Sequence, residues 1–331
     1  MMHDQSKYAQ EKTMNICVTG GAGFIGSHMV QKLNRIKRQG VRIGHIVVYD
    51  KLTYAGDLNR LQDFEYEFVR GDILDYDLFY TTLVKYEISH VIHFAAESHV
   101  DRSLIDPMGF LRTNVLGTAK VLEAITSYWS KEMRNECETL YIHISTDEVY
   151  GYTVEPALES SGLNPGNPYA ASKAAADMLV IAQINSGNLP AVILRSSNNY
   201  GPGQNSEKLI PKLMEQMMSH MPLTIYGDGH QKRCWIHVED YASIIWGIME
   251  KPWIGEILNI TGPDVYTNLD LAQRMRIIYA DKQKVALNSV SKIAFVEDRK
   301  AHDYFYNVSN CKWELYLETL EMDAFVSKKK S

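Results

Sequence analysis

The sequence predicts an α/β fold: a doubly wound parallel sheet with a smaller C-terminal lobe. Three observations carry this. Continuous apolar, strand-like runs alternate with helical patterns through the first two-thirds of the chain. The first of these runs ends in a glycine cluster that opens a helical pattern. After residue 200 the alternation loosens. Continuous apolar strands separated by helices mean a parallel sheet covered on both faces.

The elements follow in order. "NICVTG" (15–20) is the first strand, and "SHMVQKLNRIKRQG" (27–40) follows with helical spacing and a Gly stop. "HIVVYD" (45–50), "YEFVRGD" (66–72), "HVIHFAA" (90–96), "TLYIHIST" (139–146) and "PAVILRSSN" (190–198) are strands two to six. Helical patterns lie near 75–87, 108–130 and 169–186. Beyond 200, "GPGQNSEKLIPKLMEQMM" predicts a loop leading into a helix. "LTIYGDGHQKRCWIHVED" predicts strand, Gly turn, strand; "DYASIIWGIME" is helical and "GEILNITG" strand-like. No internal repeat or low-complexity linker interrupts the chain.

The composition is that of an ordinary globular chain: 331 residues, 45% hydrophobic and 22% charged. A formal net charge of −6 and scattered basic residues argue against nucleic acid or an acidic membrane surface as partners. The cysteines at 17, 137, 234 and 311 form no CxxC pair and no zinc-spaced cluster with histidine. Reduced thiols and no metal are expected, which suits the cytoplasm. The start "MMHDQSKYAQEKT" has no apolar core of a secretory signal, and no run is long enough to span a bilayer.

Function enters at the glycines. The first strand runs into "TGGAGFIGSH", with Gly20, Gly23 and Gly26 spaced GxxGxxG before a helix. The first Gly permits a tight turn, the second lets the backbone approach a pyrophosphate, and the third lets helix and strand pack closely. The helix N-terminus then offers free N–H groups to phosphates. In this strand–loop–helix context the motif predicts dinucleotide binding. Asp50, closing the second strand, would accept hydrogen bonds from ribose hydroxyls and repel a 2′-phosphate, which favours NAD over NADP. The expected division is a flexible tail over 1–13, an NAD-binding domain over 14–200, a mainly substrate-binding lobe over 201–326, and a basic tail at 327–331. Part of 232–262 is expected to return to the sheet edge.

"NPYAASKAAAD" places Tyr169 and Lys173 four apart on one helix face, where an ammonium is expected to lower the phenol's pKa. Thr146, ending the fifth strand, can orient a substrate oxygen beside Tyr169. Asp147 and Glu148 follow directly in "STDEVYG". Alone, such a pair is a solvated turn. At the carboxyl end of a parallel strand, where ligands bind open sheets, it can keep one carboxyl protonated beside an ionised one.

These residues, together with "DKLTYAG", "FAAESHVDRS", "TNVLGT", "SNNYGP", "EKLIP", "YGDG" and "DRKAHD", resemble the extended short-chain dehydrogenase/reductases, and within them the nucleotide-sugar 4,6-dehydratases. The resemblance covers roughly residues 14–310. It implies a Rossmann-type sheet, bound NAD, a UDP-glucose or dTDP-glucose substrate, and a homodimer built on helices near 108–127 and 169–186. It implies cofactor contacts at Phe24, Ile25, Asp50, Lys51, Leu52, Thr53, Asp72, Ile73, Phe94, Ala95, Ala96, Ser98, Thr113, Tyr169, Lys173 and Asn199. It implies substrate contacts at Ser98, Thr146, Asn198, Glu207, Lys208, Tyr226, Arg233, Asn268, Arg299 and His302.

The catalytic set so implied is Thr146, Asp147, Glu148, Tyr169 and Lys173. It would oxidise C4, eliminate water across C5 and C6, and return the hydride to C6, in a rhamnose or other deoxysugar route. "GPGQNSEKLIP" departs from the bacterial "GPYxFPEKLIP" at Gly203 and Asn205, and Cys234 stands where that pattern has Asp. Gln204 resembles the "GPNQFPEKLIP" of plant rhamnose synthases, which act on UDP-glucose and also have a small residue, Ser, at the Cys234 place. A 4-epimerase, a decarboxylase and a silent NAD-binding sensor are the alternatives. The adjacent acids and the intact Tyr-Lys pair argue against them.

Overall fold

The structure, a computed structural model, describes residues 13–132, 139–298 and 303–319. Residues 1–12 of the expected tail, the basic tail, Cys137, Arg299 and His302 lie outside the described residues.

The central sheet has seven strands in the order β10-β6-β5-β4-β1-β2-β3. They are β1 (Met14–Thr19), β2 (Ile43–Asp50), β3 (Glu67–Arg70), β4 (His90–His93), β5 (Leu140–Thr146), β6 (Ala191–Ser196) and β10 (Ile257–Ile260). Every pairing in it is parallel. The chain builds outward from β1 to β3, then resumes at β4 on the other side. That reversal at β1/β4 opens a crevice beyond the carboxyl ends of the strands.

Period-two alternation sends successive side chains to opposite faces. Ile16 and Val18 pack with Met29 and Leu33 of α1 (Phe24–Arg38) and with Tyr241 and Ile245 of α8 (Val238–Glu250). Cys17 between them packs with Phe79 and Leu83 of α2 (Tyr76–Lys85) and with Val121 and Ile125 of α5 (Thr118–Glu132). Helices cover both faces, which is why the inner strands read as largely apolar runs, while the edge strand β3 stays partly exposed. Each such fully buried aliphatic side chain stabilises the fold by about 1.5–3 kcal/mol relative to exposure.

The structure corrects one local expectation and refines two. The run 190–198 is not one strand: it breaks at Ser197, and β7 (Asn198–Tyr200) joins a separate sheet of order β11-β9-β7. Asn199 makes the bend by donating to Ser196 Oγ at 2.8 Å and Ser197 O at 3.1 Å. The strands flanking the "GDG" turn, β8 (Leu223–Tyr226) and β9 (Lys232–His237), do not pair with each other. β8 pairs β12 (Ile293–Val296), while β9 lies between β7 and β11 (Asp264–Thr267). Gly227 and Gly229, at φ +59° and +76°, carry the chain from one sheet to the other. The helix expected over 108–130 is α4 (Pro107–Phe110) and α5 joined by a π-helical stretch, Leu111–Gly117.

Beyond the sheet, α7 (Leu209–Met218), α9 (Asn268–Gln283), β8 and β12 enclose a small core of Leu213, Met217, Leu223, Ile225 and Ala272. The remaining helices are α3 (Val100–Ile105), α6 (Pro168–Asn185) and α10 (Cys311–Thr319). Among the described residues, no helix is long and apolar enough to cross a membrane. Nor, among them, is any group of three or more His, Cys, Asp or Glu side chains placed to hold a metal.

Candidate active site

A cleft of about 320 Å³ follows the carboxyl ends of the sheet from the glycine loop to the start of α6. At its first end Gly20 has φ +68°, and a Cβ there would sit 2.7 Å from the Ala95 backbone nitrogen. A Cβ on Gly26 would collide with the Gly20 carbonyl oxygen. Gly23 is the N-cap of α1 and makes no side-chain cap, so the first N–H groups of the helix carry no such partner. The Asp50 carboxylate braces this loop: it accepts the Ala22 N–H at 3.0 Å and the Leu52 N–H at 2.8 Å.

Of the cofactor residues implied by resemblance, Phe24, Ile25, Lys51, Thr53, Asp72, Ile73, Phe94, Ala95, Ala96, Ser98, Thr113, Tyr169, Lys173 and Asn199 line the cleft. Leu52 does not; it holds a left-handed φ of 57° that turns the chain after β2. Ser145 Oγ, Asp147 Oδ2, Ser197 Oγ, Asn199 Oδ1 and Gln204 Oε1 are buried in residues of this wall without a hydrogen-bond partner. Buried polar atoms are normally paired. With the glycine loop at one end and these atoms at the other, the wall fits a long, polar, phosphate-bearing ligand.

The acid pair sits where β5 ends. Asp147–Tyr150 forms a single 3₁₀ turn, closed by Gly151 at φ 68°. Thr146 Oγ1 accepts the Glu148 N–H and donates to Asp147 Oδ1, both at 3.3 Å. Asp147 is 2% exposed. Burial first, and the Glu148 charge second, push its pKa up to about 8, while Arg233 opposes the shift. Glu148 is half-buried, and its Oε2 accepts from Asn167 Nδ2 at 3.4 Å and from the Tyr306 hydroxyl at 3.2 Å. Two adjacent carboxyl groups thus stand in different environments.

Tyr169 and Lys173 face the same cleft from α6. Asn167 caps this helix by accepting the Ala170 N–H at 2.9 Å, and Pro168 opens it. The expected lowering of the Tyr169 pKa by Lys173 is not found. Burial and then the Glu148 charge push the phenol well above its usual range, with a Thr146 hydrogen bond pulling the other way. Lys173 directs its ammonium to the Ile144 carbonyl at 2.6 Å, and burial brings its pKa down to about 8 against the pull of Asp177.

Among the expected substrate contacts, Ser98, Thr146, Asn198 and Lys208 line the cleft, and Lys208 Nζ donates to Ser98 O at 2.9 Å. Glu207, Tyr226, Arg233 and Asn268 do not line it. Glu207 pairs with Arg102 at 3.3 Å, and Lys212 lies 5.0 Å from the Tyr226 ring. Arg233 donates to the Asp303 and Tyr304 carbonyls at 3.0 and 3.3 Å and stacks 4.5 Å from the Tyr306 ring. Asn268 opens α9, whose N-cap is Thr267, accepting the Asp270 N–H at 3.0 Å.

Sequence reasoning missed Asn167, Asp303 and Tyr306. The Asn-Pro start of α6 is a legible cap signal. Tyr306 has none: it reaches Glu148 from 158 residues away, and its one hydroxyl proton is shared between Glu148 Oε2 at 3.2 Å and Asp303 Oδ2 at 2.9 Å.

The family model for GDP-mannose 4,6 dehydratase matches residues 17–315. A dTDP-glucose 4,6-dehydratase of Neisseria gonorrhoeae is 40% identical over 329 residues, covering 96% of this chain and 94% of that protein. One of Haemophilus influenzae is 38% identical over 315 residues, covering 90% of each. The crystal structure of DesIV, a dTDP-glucose 4,6-dehydratase from Streptomyces venezuelae solved with NAD, superposes with a TM-score of 0.81 at 38% identity, covering 92% of this chain and 91% of that one. The UDP-glucose 4-epimerase of Thermus thermophilus gives a TM-score of 0.78 at 27% identity, covering 92% and 93%. Fold likeness thus extends to epimerases, while the identity is higher to the two dehydratases and to DesIV than to that epimerase. By sequence and by architecture, the chain belongs to the nucleotide-sugar 4,6-dehydratase family of the extended short-chain dehydrogenase/reductases.

Proposed function

We propose that the protein binds NAD and converts a nucleoside-diphosphate glucose to the 4-keto-6-deoxy sugar. The observation that carries this is the Thr146–Asp147–Glu148 turn at the end of β5, where a buried carboxyl stands beside a half-buried one. The glycine loop and Asp50 would hold the dinucleotide, and Tyr169 and Lys173 its nicotinamide end. Bound NAD would supply an acceptor for hydride from C4 and, once reduced, a donor of hydride to C6. Tyr169 would take the proton of the C4 hydroxyl as the phenolate, the form that a nearby cation favours and burial opposes, while Thr146 hydrogen-bonds the C4 oxygen. A carbonyl at C4 acidifies the C5–H. Glu148 removes that proton, and Asp147 gives its own to the departing C6 hydroxyl, which leaves as water; Glu148 then gives the proton back to C5 as hydride adds at C6. Asn167 and Tyr306 hold the Glu148 carboxylate in place.

The relatives' names support dTDP-glucose as substrate. Gln204 favours UDP-glucose, through its likeness to the plant pattern. Offering each nucleotide separately and comparing kcat/KM decides between them. Absence of a 4-keto-6-deoxy product from both, or appearance of the 4-epimer, overturns the reading. The product would feed a rhamnose or other deoxysugar route.

The protein is also proposed to form a homodimer through α3–α6. Ile105, Met108, Leu116 and Met178 present exposed apolar side chains there, Ile105 at 85% exposure. Light scattering should report twice the chain mass.

A dependence on pH follows. Asp147 acts as an acid only while protonated, so kcat should fall as pH rises through about 8, and loss of the Lys173 charge acts in the same direction. The sign for stability agrees. A carboxyl whose native pKa lies above its unfolded value binds its proton more tightly when folded, so Asp147 subtracts stability as pH rises from about 4 toward 8. A kcat–pH profile flat to pH 9.5 or beyond would remove Asp147 as the acid.

A further inference from the structure

Three loops meet over the phosphate end of the cleft: the glycine loop, the segment after β2, and the loop 201–205 that leaves β7 for the lobe. One side chain joins all three. Arg60, in the 3₁₀ turn Leu58–Leu61, donates through Nη1 to Ala22 O and Ala55 O, each at 3.0 Å. Through Nη2 it donates to Gly203 O at 3.0 Å and to Asn205 Oδ1 at 3.2 Å. The turn carrying it is seated on α1, where Gln31 Nε2 donates to Arg60 O at 3.0 Å.

The receiving loop is shaped for this. Gly203 has φ +79°, and a Cβ there would come within 3.4 Å of Arg60 Nε, so the side chain lies directly over the glycine. His28 of α1 fixes the same loop at Pro202 O, 2.9 Å away. A planar guanidinium with five fixed donors can engage four oxygens at once; an ammonium of three cannot. Arg60 itself does not line the cleft, whereas Ala55, Gln204 and Asn205 do.

We infer that Arg60 is a positioning residue that bolts the 201–205 loop across the glycine loop and thereby sets how slowly the protein releases its dinucleotide. This rests on the NAD reading above. In that reaction the hydride returns to the same sugar, so the dinucleotide has no need to leave between turnovers. Release requires the loops on the two sides of the cleft to separate, and the four hydrogen bonds of one side chain oppose that. Hydrogen bonds to a charged group are the stronger kind.

The test is the dissociation rate of NADH, followed by fluorescence on displacement with excess NAD, in the full chain and in Arg60→Ala and Arg60→Lys. Release should be about tenfold faster or more in Arg60→Ala, with Arg60→Lys closer to Ala than to the natural protein, and no comparable rise in KM for the sugar nucleotide. Asn205→Ala, which removes one acceptor and leaves the arginine, should speed release a few-fold, and it decides the matter if the Arg60 variants do not fold. Release within twofold of the natural rate in the variants that fold, or a parallel rise in KM, overturns the inference while leaving the NAD reading intact. A natural protein that binds no NADH overturns both.

Discussion

Replacing Glu148 by Gln is expected to leave the first half of the reaction running and to stop the second. Gln is isosteric and keeps an oxygen that Asn167 and Tyr306 can still contact, at the places they now occupy 3.4 and 3.2 Å from Oε2. What it lacks is the base that the proposed mechanism uses for the C5 proton. With substrate and NAD in single turnover, reduced cofactor should form and persist, while 4-keto-6-deoxy product falls by about 10²–10⁴-fold, the range for a removed general base. Tyr169→Phe should do the reverse and block reduced cofactor from forming. Normal turnover by Glu148→Gln removes that residue from the mechanism. Full cofactor reduction by Tyr169→Phe removes the tyrosine.

The second large effect is on stability, and it arises behind the acid turn. Arg195 is 1% exposed, and its Nε donates to Asp177 Oδ2 at 2.9 Å. Its Nη1 donates to the Tyr150 hydroxyl at 2.7 Å; that hydroxyl donates to Asn259 Oδ1 at 2.8 Å. Tyr150 belongs to the same 3₁₀ turn as Asp147 and Glu148, so the pair anchors the turn to β6, α6 and β10. Asp177→Ala leaves a buried guanidinium uncompensated, and chemical denaturation should show a loss of about 3–5 kcal/mol. The double change Asp177→Leu with Arg195→Met removes both charges and should recover much of it. A double variant no more stable than Asp177→Ala would deny that the uncompensated charge is the cause.

The pH sign can be checked on the same pair. Burial raises the Asp177 pKa, but a hydrogen bond from His143 and the charge of Arg195 outweigh it and leave the carboxyl below its usual value. Its stabilisation is therefore complete above the ordinary carboxylate range and lost as pH falls through its native value. His143, 3.5 Å from Asp177, contributes no charge at neutral pH, because burial brings its pKa down to about 4.

Much of the fold was legible because its signals are local. Both faces of the central sheet are covered, so its strands announce themselves as unbroken apolar runs, and the order of strands and helices can be read along the chain. The glycine loop and the Tyr169–Lys173 spacing are likewise contained within single turns. The break at Ser197 was not legible. The apolar run ends at Leu194, the strand continues on polar residues to Ser196, and the bend after it is made by Asn199 hydrogen bonds that residue type alone does not disclose. Nor could "LTIYGDGHQKRCWIHVED" reveal that its two strands take different partners, since the competing strand β12 lies some seventy residues further on.

At the site the division is similar. The sequence by itself determined that a dinucleotide loop, a Tyr-Lys pair and an adjacent acid pair share one sheet end, because strand and helix periodicity place them there. Only the tertiary structure decided which carboxyl is held protonated, that the Tyr169 phenol is raised and not lowered, that Tyr306 and Asn167 hold Glu148, and that Arg60 ties the loops above the phosphate end. Those outcomes depend on desolvation and on contacts between segments far apart in the chain, and both come into being only when the chain packs.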